Sequence, residues 1–310
     1  MELARAPHST SLRGAWLAQA HSHPWTALGL AAGLAALVVL LASSLWQIIS
    51  GEAEAALRLA LLGGAAGLAA TALGAVPALS LRRLAQRTED VMLGFAAGMM
   101  LAASSFSLIL PGLAAAETVT GNGVASALTV VLGLALGALL MLGLDQFTPH
   151  EHTHGGPCGP ANERVGRVWL FVLAIALHNL PEGMAIGVGF SRGDLSVGLP
   201  LTAAIAIQDI PEGLAVAMAL RAIGVSPPRA VAIAAASGLM EPLGALLGVG
   251  LTSGLALAYP IGMGLAAGAM IFVVSHEVIP ETHRNGHQTA ATLGLMGGFA
   301  LMMVLDTALG

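Results

Sequence analysis

Nine apolar runs set the terms on which this chain can fold: residues near 26–49, 55–80, 91–113, 122–144, 168–190, 197–220, 229–252, 257–279 and 288–308. Each approaches or exceeds the roughly 20 residues that a helix needs to cross a bilayer. Lipid offers no water to bare N–H and C=O groups, so runs of this kind are predicted as helices, which satisfy their own backbone. Only 9% of the residues are charged, against about 25% in a soluble domain, and the mean hydropathy is +0.83. The 40 glycines suit close helix approach where lipid removes the hydrophobic drive between spans. An all-α integral membrane protein, a polytopic helical bundle, is the expected fold class. The run at 26–49 carries no polar residue beyond Ser43, Ser44 and Gln47 and reads as an anchor.

Arginine placement orients the bundle, because short cytoplasmic loops collect positive charge. With the N-terminus inside, inner segments hold Arg5, Arg13, Arg82, Arg83, Arg87, Arg164, Arg167, Arg221, Arg229 and Arg284, and outer loops hold only Arg192. Arg58, near the outer start of the second run, can snorkel to the interface. Residues 1–25 are then a cytoplasmic tail without the apolar core of a signal peptide, residues 145–167 a cytoplasmic loop, and the C-terminus is extracytoplasmic. Scattered arginines and a formal charge of -5 exclude a nucleic-acid partner. Cys158 is the sole cysteine, so no intrachain disulfide forms. The compact loops fit a bacterial inner membrane.

Ionisable groups inside spans mark ion paths or ligand sites, and here they cluster. His178-Asn179-Leu180-Pro181-Glu182-Gly183 lies in one run, and Gln208-Asp209-Ile210-Pro211-Glu212-Gly213 follows thirty residues later in the next. His178 with Glu182 and Gln208 with Glu212 are i, i+4 pairs, and Asn179 with Glu182 and Asp209 with Glu212 are i, i+3 pairs, so each trio shares one helical face. Consecutive spans run antiparallel, which sets Glu182 opposite Glu212, and two carboxylates facing across a dry space need a cation. Pro181 and Pro211 free the carbonyls of Leu177 and Ile207 and predict kinks. The following run adds Glu241-Pro242. Imidazole, carboxylate and amide oxygen together suit Zn(II) better than Na(I) or Mg(II), and the set is large enough for two ions bridged by Glu182 and Glu212. Capping could account for one such motif, but backbone alone cannot satisfy a duplicated set with three acidic residues.

A second echo spans 170 residues. Gly94 to Met100 is matched by Gly264 to Met270, and Ser105 by Ser275. The expected topology puts these two runs in opposite senses, as an inverted repeat requires. Met99 or Met100 can lend a soft thioether that favours Zn(II) or Cd(II), although packing is the ordinary task of methionine in a span.

The two motifs resemble the hallmark of the ZIP family of divalent metal-ion transporters, a His-Asn-x-Pro-Glu-Gly run followed by a related Pro-Glu-Gly run. The resemblance covers residues 55–310. It implies eight core spans, with 26–49 as one extra N-terminal span, and uptake of Zn(II), also Cd(II) and in some members Fe(II) or Mn(II), toward the cytoplasm. It further implies a centre for two ions at His178, Asn179, Glu182, Gln208, Asp209, Glu212 and Glu241, with Met100 as a further ligand. Gln208 and Asp209 depart from the His and Glu that many members carry, and Gln208 should weaken one site for zinc.

Outside the centre, the loop after the fourth run opens on Asp145 and contains His150, His152 and His154, which read as metal capture or as a solvated polar loop. His276 and Glu277, at the inner end of the eighth run, read with Asp145 as an exit path or as ordinary interfacial polarity. Asp306 near the outer end of the last run could draw cations in. Transport is expected by alternating access, and a homodimer is left open. An exporter would use the same ligands with opposite flux. A membrane metalloprotease needs His-Glu-x-x-His, and the nearest run, His276-Glu277-Val278-Ile279-Pro280, ends in proline, so no enzyme activity is expected.

Overall fold

The structure, a computed structural model, describes residues 17, 20–50, 55–147, 150–152, 156–158, 167–222, 224–252 and 256–309. Its helices are α1 (Pro24–Ile49), α2 (Ala55–Leu79), α3 (Gln86–Thr120), α4 (Gly123–Phe147), α5 (Arg167–Phe190), α6 (Leu195–Ala222), α7 (Pro227–Thr252), α8 (Ala258–Thr282) and α9 (Gln288–Leu309). Among the described residues, seven of them, α2 to α4 and α6 to α9, are long and apolar enough to cross a membrane. Large apolar side chains such as Leu128, Leu132, Leu139, Leu293 and Val304 face outward, as they must where lipid is the solvent. The protein is an all-α, polytopic membrane protein. A short antiparallel ribbon, β1 (His150–His152) with β2 (Gly156–Cys158), lies between α4 and α5.

Two expectations about local structure change. α3 extends beyond the 91–113 run at both ends. Gly121, at φ 63°, ends it by donating its N–H to the Glu117 carbonyl, the left-handed termination that glycine makes cheap. Asn122 Oδ1 then accepts the N–H groups of Val124 and Ala125 and starts α4. α4 continues to Phe147, so Asp145 sits on its last turn and not in the loop. The prolines at 181 and 211 lie inside continuous helices, and the break falls in α7, at Gly238 and Leu239, just before Glu241.

The 170-residue echo is a repeat of three-dimensional packing. In α3 and α9, a Cβ on Gly94, Gly98, Gly294 or Gly298 would fall on the carbonyl oxygen of Ala291, Leu295, Val91 or Phe95 across the contact. In α8 and α4, Gly264, Gly268, Gly133 and Gly137 stand in the same relation to Val130, Leu134, Ile261 and Leu265. α2 meets α6 through Gly74 on Ile210 and Gly213 on Thr71, and α7 meets α5 through Gly244 on Leu180 and Gly183 on Glu241. Thus α2, α3 and α4 repeat as α7, α8 and α9, while α5 and α6 exchange places. The register increases together along α3 and α9, so they are parallel. α9 reverses from α8 through a short turn, so α8 opposes α3 and the repeat is inverted.

Both α3 and α8 widen into a π-helical stretch at the equivalent place, Ala103–Ile109 and Val274–Val278. Each stretch ends two residues before a proline, Pro111 or Pro280. A proline has no N–H and pushes on the carbonyl four residues back, here Ser107 and His276, which a widened turn accommodates. The turn after α8 is pinned to α3 by Asp90, 1% exposed, which accepts the Asn285 amide at 2.9 Å and pairs with His287 Nδ1 at 2.8 Å.

Candidate metal centre

Glycine places the polar motifs. Gly183 directly follows Glu182 and lets α5 lie against the backbone of Glu241; Gly213 directly follows Glu212 and lets α6 lie against that of Thr71. The break in α7 leaves Glu241 in the first turn of the second half of the helix, its N–H bonded to the Gly238 carbonyl. Four helices, α2, α5, α6 and α7, are thereby drawn to one point.

At that point Glu182, Asp209 and Glu212 each offer a carboxylate oxygen, all within 4.8 Å of one another. Gln208 Nε2 donates to Glu182 Oε1, and Thr71 Oγ1 donates to Glu241 Oε1 at 2.9 Å. Glu182 Oε2, Gln208 Oε1, Asp209 Oδ2 and Glu241 Oε2 are buried with no hydrogen-bond partner among the described residues. Leaving such groups unpaired costs several kcal/mol in low dielectric, roughly, and cations would relieve that cost for a row of four. Asn179 is buried beside them in sequence.

His178 and Met100 complete the set read from sequence. His178 Nε2 lies 3.2 Å from Glu277 Oε2, which moves Glu277 from the rim of α8 to a direct contact with α5. His276 Nε2 lies 3.8 Å from Asp145 Oδ2, so two of the three residues read as an exit path meet each other and the third, Glu277, meets His178. Met99 and Met100 are both buried, and Met99 lies against Gly298 of α9. Asp306 Oδ1 accepts the Ser107 hydroxyl at 2.6 Å. His150 and His152 lie on β1, with His150 opposite Cys158, and His154 lies outside the described residues.

Sequence reading missed Thr71 and Gly67. A signal was present: Thr71 precedes Glu241 by 170 residues, the offset that relates Gly94 to Gly264.

The family described as ZIP Zinc transporter matches residues 145–306, a stretch that contains every acidic residue of the centre. The chain belongs to the ZIP family. Among curated ZIP relatives, zinc transporter ZIPB of Bordetella bronchiseptica is 70% identical over 97% of this chain and 98% of its own length. Zinc transporter GufA of Myxococcus xanthus is 42% identical over 78% of this chain and 95% of its own. Human zinc transporter ZIP11 is 30% identical over 73% of this chain and 90% of its own. The similarity to the bacterial ZIPB runs nearly end to end and so takes in the region of α1 as well as the ZIP-matched segment.

Proposed function

We propose that this ZIP protein carries Zn(II), and also Cd(II), into the cytoplasm of a bacterial cell through its inner membrane. The observation that carries the reading is the row of buried, unpartnered oxygens on α5, α6 and α7, in a family and among relatives named for zinc. Imidazole and carboxylate oxygens suit Zn(II) in a site of four or more donors. With Glu182 and Glu212 as shared ligands, the centre takes two ions. His178, Asn179, Gln208, Asp209 and Glu241 complete the shells, and Met100 adds its thioether.

The pairs outside the centre support a path. Asp306 with Ser107 and Asp145 with His276 lie near the C-terminal ends of α9 and α4, which the inverted repeat puts at opposite ends of the bundle. The arginine distribution supports placing the Asp145 end in the cytoplasm. An ion would meet Asp306, pass to the centre, and leave by Glu277, His276 and Asp145 when one helix group shifts against the other. The ribbon bearing His150 and His152 would then stand at the exit and capture the ion. α1 serves as an extra N-terminal span beside the eight-span transporter, residues 55–310.

The test is flux in proteoliposomes, with Zn(II) and Cd(II) measured inward for wild type, His178→Ala and Glu212→Ala. Saturable flux that collapses in both folded variants supports the path. Normal flux in both, or none in wild type, overturns it, and outward flux in vesicles of known orientation would make the protein an exporter.

A further inference from the structure

α2 supplies none of the ligands assigned above, yet it touches the centre at two positions one turn apart. Thr71, 3% exposed, has its hydroxyl 2.9 Å from Glu241 Oε1, and the Gly67 carbonyl is a more distant acceptor at 3.2 Å. A threonine in a helix ordinarily turns its hydroxyl back to the carbonyl four residues before it; here a carboxylate from another helix lies nearer. At Gly67, a Cβ would overlap Glu241 Oε2 and stand 3.2 Å from Asp209 Oδ2. Those two oxygens are among the four buried without a hydrogen-bond partner. The hydroxyl therefore holds one oxygen of Glu241, and the missing side chain at 67 leaves the other its place beside Asp209.

The repeat gives the pair its meaning. Thr71 and Glu241 are equivalent positions of the two halves, each the backbone on which the glycine of an opposing Pro-Glu-Gly run rests. One half carries a carboxylate there and the other the hydroxyl that orients it.

We propose that Thr71 is a positioning residue of the metal centre: it fixes the Glu241 carboxylate so that its second oxygen, with Asp209, forms the subsite of the second divalent ion, in space kept open by Gly67. The proposal rests on the two-ion reading above. A carboxylate ligand held by an outer hydrogen bond is already oriented when the ion arrives, and loss of such a partner costs roughly 10- to 100-fold in metal affinity.

The experiment counts ions and measures their affinities on purified full-length protein titrated with Cd(II), with metal per chain determined after dialysis and the metal-free melting temperature recorded. Wild type should bind two ions. Thr71→Val, which keeps the branched shape and removes the donor, should weaken the second roughly 10- to 100-fold without a matching fall in melting temperature. Thr71→Ser should restore it, and Gly67→Ala should lose it. Thr71→Ala gives the same reading should the valine variant fail to fold. Two ions at wild-type affinity in Thr71→Val, or a loss that Thr71→Ser leaves unrepaired, overturns the proposal. A wild type that binds one ion overturns the two-ion reading instead; the role of Thr71 then stands if Thr71→Val weakens that ion as Glu241→Gln does, and falls if it does not.

Discussion

Helices α5 and α6 meet their neighbours in the same way, Gly183 against the backbone of Glu241 and Gly213 against that of Thr71, but the side chains around those contacts are different. α5 brings His178 and Asn179 where α6 brings Gln208 and Asp209. Their surroundings differ in step: His178 pairs with Glu277 of α8, whereas the position equivalent to Glu277 is Ser107 of α3, bonded to Asp306. A side chain on a glycine whose absent Cβ is filled by a neighbour's carbonyl would force the helices apart, and the same contacts occur in both halves. The side chains beside those contacts carry no such constraint and differ between the two. The result is an arrangement with its imidazole on α5 and two of its four carboxylates, Asp209 and Glu212, on α6.

The largest effect expected from that difference is in binding. His178→Ala should lower zinc affinity by more than the roughly 100-fold that bounds the loss of an outer hydrogen-bond partner, because it removes the nitrogen ligand of the proposed centre. Gln208→Ala, which removes a weaker amide donor and the hydrogen bond that its Nε2 gives to Glu182 Oε1, should cost less, about 10-fold. Calorimetric titration of both variants checks this, and equal losses would break the distinction between the two motifs. Protons sharpen it further. Zinc needs neutral imidazole and ionised carboxylate, so acid competes with metal and affinity falls as pH falls, by about tenfold per unit for each proton displaced. Zinc titrations at neutral and mildly acidic pH should show a shallower slope in His178→Ala than in wild type; an unchanged slope would mean that His178 releases no proton. The smallest effect tests what the halves share. Gly98→Val in α3 and Gly268→Val in α8 each push a side chain into a carbonyl of the partner helix, at Leu295 or Leu134, and each should cost about 1 to 3 kcal/mol of stability. Similar drops in melting temperature are expected, and a large drop in one alone would mean that the two contacts are not equivalent.

Much of this was legible before any coordinates. The apolar runs predict the helices because a helix is the only span that satisfies its own backbone, and the i, i+3 and i+4 spacings predict that each polar trio shares a face. The identities of the acidic residues predict the centre, since a carboxylate has no business in lipid without a partner. The interruption of α7 at Gly238 and Leu239, just before Glu241, carries no proline and was not legible in the sequence pattern. The contact of His178 with Glu277 was hidden because it joins residues far apart in the chain. Asp145 looked like loop because helix ends are set by capping and packing, to which apolar content is a poor guide.

The sequence by itself determined that this chain lives in a membrane, that it folds as helices, and that it belongs with proteins of the ZIP family, because those properties follow from local composition and from motifs within single helices. Tertiary structure alone decided which oxygens remain unpartnered, that Met99 lies against Gly298 of α9, and that a threonine and a glycine on α2 stand against a carboxylate on α7. Those facts depend on which faces meet and how closely, and in this protein that is set by glycines whose effect appears only when two helices touch.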